Sequence, residues 1–320
     1  MRRIDRLGYL RPAESLQTVG SNGMPVASDW PIRYADVMEN TTQPILCCVG
    51  AEVAGEPTQF LMERTCSAAH LDWRVITVEV TADELQHAWQ GMSAMRFQAV
   101  RFFRAHQAAA MHFVGQPSVY DQFIGGITSA HCVGEQWTMW HNSGPGLVEA
   151  MSGRCQWSEA TCWLHGDSPK QRSIFVACTE RPPRELIWSG CPADIPSELA
   201  GRVPLVLVPA ERDGELTQML TDRMNDVPPQ HCLIHCGDLE PRHQDALTAC
   251  QTSAACDLIV VSHSPGTRRK LSDQWRAGEV HVLTQSDIVV AEEAYDQGRW
   301  IGRPVNLEVL REAYEEYADF

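Results

Sequence analysis

The chain has no apolar run long enough for a membrane. Stretches such as PLVLV (204–208) and LIVV (258–261) are far short of the roughly 20 residues a spanning helix needs. Surplus positive charge is also missing. The 26 Lys and Arg against 41 Asp and Glu give a net charge of −15 and a pI near 5.2, which repels a phosphate polyanion. Arg2 and Arg3 do not change this, so nucleic acid is not an expected partner. No apolar run follows the basic opening MRRIDRLGYLRP, so it does not read as a secretory signal, and a cytoplasmic protein is expected. Paired CxxC spacing is absent although there are twelve cysteines, which argues for buried thiols. HCLIHC (231–236) puts Cys232 and Cys236 on one strand face and His231 and His235 on the other. That divides possible ligands between two faces, and a buried strand without metal is expected. There is no GxGxxG, and no GxSxG to make a nucleophile of the serines in SHSPG (262–266), which reads as a strand-to-loop turn.

What is present is a globular mixture: 320 residues, 44% hydrophobic and 21% charged, enough for two domains. Residues 1–43 are polar and turn-rich, an extension without a core of its own. From 45 onward strand-like and helix-like runs alternate: ILCCVG (45–50), EPTQFLMERTCSAAHL (56–71), WRVITVEV (73–80), TADELQHAWQGM (81–92) and FQAVRFF (97–103). Thr81 followed by Glu84 has the spacing of a capping box. This order predicts an α/β layer with a largely parallel sheet. Asn142 or Ser143, with Pro145 behind, starts a connecting helix. Strands are then expected at 161–166, 173–178, 204–209, 231–236, 256–262 and 280–284, and helices at 211–224, 240–251, 288–298 and 306–320. The expected division is a substrate-binding-like domain over 44–140, joined by the C-terminal helices 287–320, and a diverged Rossmann-like domain over 141–286.

The stretch HLDWRVITVEVTADELQHAWQGMSAMRF (70–97) resembles the N-terminal domain of the shikimate dehydrogenase family. Four more pieces keep the family's order. FQAVRFFRAHQ (97–107) lies where NVTxPxK is expected, IGGITS (124–129) where IGAVNT is expected, MWHNSGPGLVEAM (139–151) where the GYNTDGxGF helix begins, and VVAEEAYDQGRWIGRPV (289–305) where the closing helix and its exit lie. The resemblance covers residues 45–151 and 285–320. It implies a two-domain α/β oxidoreductase of aromatic amino acid biosynthesis that interconverts 3-dehydroshikimate and shikimate with NADP. It also implies a lysine and an aspartate that handle the proton.

Carried over residue by residue, the lysine falls on Gln107 and the aspartate on Ser143. Glutamine cannot exchange a proton near neutral pH. The family's substrate-contacting positions fall on Arg101, Phe103, Thr128 and Glu292. His106 and His141 stand beside the old pair and could serve a rebuilt site as acid–base groups, or be ordinary hydrogen-bonded histidines. Arg101 could offer a fork to a carboxylate, or form a structural ion pair. On the cofactor side Gly166, Asp167 and Ser168 form a turn after a strand. Only DSPKQR (167–172) separates TCWLHG from SIFVAC, too little for a parallel crossover if SIFVAC is a strand. The phosphate-binding helix is then expected to be missing and NADP binding to fail. TERPPRE (179–185) resembles the family's NRTxxRA, with Arg181 as the candidate for a 2′-phosphate. The expectation is a dehydrogenase-like protein with impaired or lost activity, a pseudoenzyme that binds a small shikimate-like or other carboxylate ligand. The alternatives are a non-catalytic regulatory protein on that scaffold and an enzyme with a rebuilt cleft.

Overall fold

The structure is a computed structural model that describes residues 43–192, 194–208, 218, 230–235, 257–262 and 280–318. Along the chain run β1 (Ile45–Gly50), α1 (Thr58–Ala68), β2 (Arg74–Glu79), α2 (Leu85–Ala94), β3 (Ala99–Phe102), α3 (Val119–Ile124), β4 (Ser129–Val133), β5 (Gln136–Trp140), α4 (Ser143–Ser152), β6 (Thr161–His165), α5 (Pro169–Glu180), β7 (Glu185–Ser189), α6 (Ser197–Ala200), β8 (Leu205–Val208), β9 (Gln230–His235), β10 (Asp257–Ser262), β11 (Val280–Leu283), α7 (Gln285–Ile301) and α8 (Leu307–Ala318). Two sheets result. The first has the order β2-β1-β3-β4-β5, the second β11-β10-β9-β6-β7-β8. In the first, β1, β2 and β3 are parallel, and the β4–β5 hairpin adds on antiparallel. Every pairing in the second is parallel. Its order is the doubly wound one, whose ligand crevice lies beyond the carboxyl ends of the strands where the order reverses. Here that reversal falls between β6 and β9.

Residues 173–178 correct the expectation of a strand. They lie inside α5. Gly166, at φ +93°, turns the chain sharply after β6, Ser168 is in an extended conformation, and Pro169 occupies the first helical turn. The whole of 166–184 then serves as the crossover to β7, ample for a parallel connection. Its β-branched and aromatic run read as a strand because intrinsic propensity is weak where burial decides. Ile174, Phe175, Ala177 and Cys178 are all buried, against a core that includes Leu147, Leu164 and Trp188. Ile174 and Phe175 each contribute roughly 1.5–3 kcal/mol by leaving water. A helix after β6, expected to be missing, is therefore present.

The sequence reading of the helix starts was also shifted. Thr81 Oγ1 donates to Glu84 Oε2 (2.8 Å) on a turn before α2, and caps nothing. True capping boxes sit at Ser118–Asp121, opening α3, and at Thr284–Asp287, opening α7. The predicted helix at 240–251 lies outside the described residues, as does that at 211–224 apart from Gln218, which is helical. Residues 231–235 of HCLIHC fall in β9, a strand between β6 and β10.

Helix α4 is wedged between α5 and α7. A Cβ on Gly144 would overlap the Ser173 carbonyl, and one on Gly146 would come within 2.9 Å of the Ala291 carbonyl oxygen. Glycines at both crossings let three backbones approach. Helices α7 and α8 pack on α1 through Leu61, Val290, Leu310 and Ala313. The chain's last helices thus cover the first sheet's helical layer and also grip the connector.

Candidate inter-lobe site

The polar centre is Asp296, fully buried on α7. Its Oδ2 accepts from Arg101 Nη1 (2.6 Å), Ser129 Oγ (2.7 Å) and Asn142 Nδ2 (2.8 Å), and its Oδ1 accepts from Trp140 Nε1 (2.7 Å). Strands β3, β4 and β5, the residue before α4, and α7 are tied together at one carboxylate. Burial pushes the Asp296 carboxyl up to about 7; Arg101 opposes this and Glu293 adds to it. Arg101 in turn is held above its ordinary value: burial disfavours its charge, but Asp296, Glu293 and Glu292 outweigh that. Of the two readings of Arg101, the structure shows the ion pair.

Beside this centre the two lobes meet. Lys170, in the first turn of α5, sets Nζ 2.7 Å from Glu292 Oε1 on α7, with side chains 28% and 12% exposed. One turn on, Ser173 accepts from Gly144 N (3.0 Å) and donates to His141 O (3.3 Å). A Cβ on Gly126 would lie 3.3 Å from Pro169 and 3.8 Å from Gln107. Pro169 therefore touches the loop that carries Gln107's neighbours, and Ser173 touches the 141–144 segment. In α5, Lys170 lies between Pro169 and Ser173 in sequence and pairs with Glu292. His141 is buried, and its Nδ1 accepts from Ser143 N (3.4 Å). Burial pushes His141 down to about 3, Lys170 and Arg101 push the same way, and Glu292 opposes. It is neutral at physiological pH.

The structure thus gathers Gln107, His141, Ser143, Glu292 and Arg101 around one junction, but not the other predicted residues. His106 is buried with Nε2 2.7 Å from Val80 O, which corrects its placement in the cleft. Phe103 packs in the core with Leu46, Cys48, Met62 and Trp300, which corrects its role as a substrate contact. Thr128 is internal: its Oγ1 accepts from Asn142 N (2.8 Å) and donates to Trp140 O (3.3 Å). Gln107 itself donates from Nε2 to Phe102 O (3.3 Å).

On the nucleotide side, Gly166, Asp167 and Ser168 form the turn into α5. Trp188 Nε1 donates to Gly166 O (2.8 Å), and Gly190 (φ +60°) crosses close to Gly166. Asp167 is drawn aside by Arg172, with Nε at 2.5 Å and Nη2 at 2.9 Å. Arg172 Nη1 also donates to Phe123 O (3.0 Å). Arg181 is corrected as a 2′-phosphate group. It closes the far, C-terminal end of α5, pairs with Glu149, and its carbonyl accepts from Trp157 Nε1 (2.6 Å).

Lys170, Asp296, Asn142 and Ser173 were missed by sequence reasoning. One signal was available for the first. The chain has only two lysines, Lys170 and Lys270, and Lys170 stands four residues beyond a glycine that ends a strand.

No protein-family model and no curated protein matches the sequence. Solved structures do match in fold. A shikimate 5-dehydrogenase from Listeria monocytogenes, in complex with shikimate and NAD, superposes with a TM-score of 0.65 at 12% identity, over 85% of this chain and 96% of that one. A Thermus thermophilus shikimate 5-dehydrogenase in complex with NADP(H) and shikimate gives 0.61 at 15% identity, over 86% and 100%. A Gluconobacter 5-ketofructose reductase in its ligand-free form gives 0.61 at 12%, over 87% and 99%. The chain has the two-sheet α/β fold of the shikimate dehydrogenases.

Proposed function

We propose that this chain is a nicotinamide-dependent oxidoreductase with a rebuilt proton-handling couple, and that it turns over shikimate poorly. The observation that carries this reading is the Lys170–Glu292 ion pair at the junction of the lobes. The first sheet with α7 and α8 forms the substrate half (44–140 and 287–320), and 141–286 forms the nucleotide half. The residues present fit NADP. The turn Gly166–Asp167–Ser168 delivers a helix N-terminus toward the strand ends, and Asp167 is neutralised by Arg172. At the end of β7, Ser189, Gly190 and Cys191 carry no carboxylate to repel a 2′-phosphate.

A nicotinamide held by the 166–168 turn and the start of α5 would supply the hydride chemistry at the substrate carbon. Lys170 Nζ can give the matching proton to the carbonyl oxygen, or take it from the alcohol. Glu292 holds the ammonium in place. Gln107 and Ser143, at the family's lysine and aspartate positions, can position a hydroxyl but cannot carry that proton. Neutral carbonyl compounds are substrates on this scaffold as well, as the ketofructose reductase's name indicates. The second reading, a non-catalytic ligand-binding protein, is favoured by the loss of the Lys/Asp pair at 107 and 143. NADPH fluorescence titration with thermal denaturation separates the two. Saturating NADPH should raise the apparent stability by RT ln(1 + [L]/Kd), about 2.7 kcal/mol at a hundredfold excess over Kd. No shift and no fluorescence change would leave the non-catalytic reading standing.

A further inference from the structure

Four strands of the second sheet close an apolar run on a polar residue: β6 on His165, β7 on Ser189, β9 on His235 and β10 on Ser262. The register sets these residues in one row, Ser189 opposite His165, His165 opposite His235, and His235 opposite Ser262. The row runs along the carboxyl ends of the strands and crosses from β6 to β9, the reversal where a doubly wound sheet opens its ligand crevice. Strands of a parallel sheet are ordinarily apolar on both faces, so core packing does not account for this row.

Along β9 alone, HCLIHC divides its ligand-type residues between two faces. The sheet brings a second histidine from another strand. Paired positions on parallel strands share a face, and Cys162 and Leu164 pack toward α5, so positions 165 and 235 lie together on the opposite face. Neighbouring strands stand about 4.8 Å apart. Two nitrogens on one tetrahedral zinc, each at about 2.0–2.1 Å, are roughly 3.3 Å from one another. Imidazoles rising from paired positions can therefore reach one ion. His165 Nδ1 lies 2.8 Å from Oγ of the buried Ser189. In the tautomer in which Nδ1 donates, the lone pair is on Nε2. A hydrogen bond at one ring nitrogen that aims the other is the usual support of a metal-binding histidine.

We propose that His165 and His235 together bind a divalent transition metal ion at the carboxyl edge of the second sheet, with Ser189 as the positioning residue for His165. Imidazole ligands suit zinc, copper and nickel. No group of three ligand-type side chains gathers among the described residues, so water is the further ligand of a two-histidine site. The site stands apart from the oxidoreductase reading and does not depend on it.

The test is calorimetric titration of zinc into the full chain, reduced and with its accessible thiols alkylated. Wild type, His165→Gln, His235→Gln and Ser189→Ala are compared, each with its circular dichroism checked against the wild type. Each histidine change should abolish one zinc site, and Ser189→Ala should weaken that site about 10–100-fold. Zinc held by remaining thiols registers alike in all four proteins. An unchanged isotherm in either histidine variant overturns the proposal, and one in Ser189→Ala overturns the positioning role. Where a variant does not fold, X-ray absorption of the wild type with one equivalent of zinc decides. Nitrogen and oxygen at about 2.0–2.1 Å with imidazole back-scattering is the expected spectrum, and a main shell of sulfur at about 2.3 Å overturns the site.

Discussion

Replacing Asp296 with asparagine keeps the shape of the side chain and removes its charge. Oδ2 accepts three donors and Oδ1 one. Whichever way the new amide turns, its NH2 faces at least one N–H or O–H, and Arg101 loses its counter-charge in a buried setting. Breaking a buried pair in this way costs about 3–5 kcal/mol. That is a large share of the roughly 5–15 kcal/mol by which a protein is stable. With a urea m-value of about 3 kcal/mol/M, the midpoint should fall by about 1–1.7 M with m unchanged. Much of the cost is the orphaned guanidinium. Asp296→Asn combined with Arg101→Met should therefore be less destabilised than the sum of the two single changes. Urea unfolding followed by tryptophan fluorescence reads all four proteins. A loss under about 1 kcal/mol in the single variant, or strict additivity in the double, would refute the view of Asp296 as the hub tying β3, β4, β5 and α7 together.

Gly144→Ala should destabilise by about 1–3 kcal/mol or more, because the new methyl meets the backbone of α5 and not a movable side chain. Gly91→Ala is the control. That position lies in α2 with only Met95 Cε within 4 Å, at 3.9 Å, and should gain about 0.5–1 kcal/mol. His141, lowered from 6.5 to about 3, contributes stability that is complete above pH 6.5 and is lost as pH falls through its folded value. Relative to His141→Gln, the wild type should lose about 1.4 kcal/mol per pH unit across that window, and parallel stability curves would contradict this. If the Lys170–Glu292 couple handles the proton, Lys170→Met should lose turnover of any ketone that oxidises NADPH while still binding NADPH, as stopped-flow fluorescence can show.

The alternation of runs from 45 to 103 was enough to read an α/β layer, because periodicity survives in sequence: β1, α1, β2, α2 and β3 follow in the expected order. Four later strands, β8 to β11, were legible in the same way, as was α7, though it begins three residues earlier than expected. Gln107, Ser143, His141 and Glu292 were picked out by motif order alone, and their functional role belongs to the proposal. What sequence could not decide was how burial and packing would treat each segment. SIFVAC had the composition of a strand, yet a glycine at positive φ and a proline in the first turn, followed by burial against Trp188 and Leu147, made it a helix. His106 and Phe103 sat at functional positions in the motif but point into packed interior.

By itself, then, the sequence determined the layer type, the net negative charge, and a glutamine at position 107, where the resemblance implies a lysine. Only the tertiary structure decided that another lysine reaches the same junction from the opposite lobe. A contact between residues 170 and 292 depends on where α5 and α7 are set by the glycine crossings of α4, and that is a property of three packed helices which no local pattern encodes.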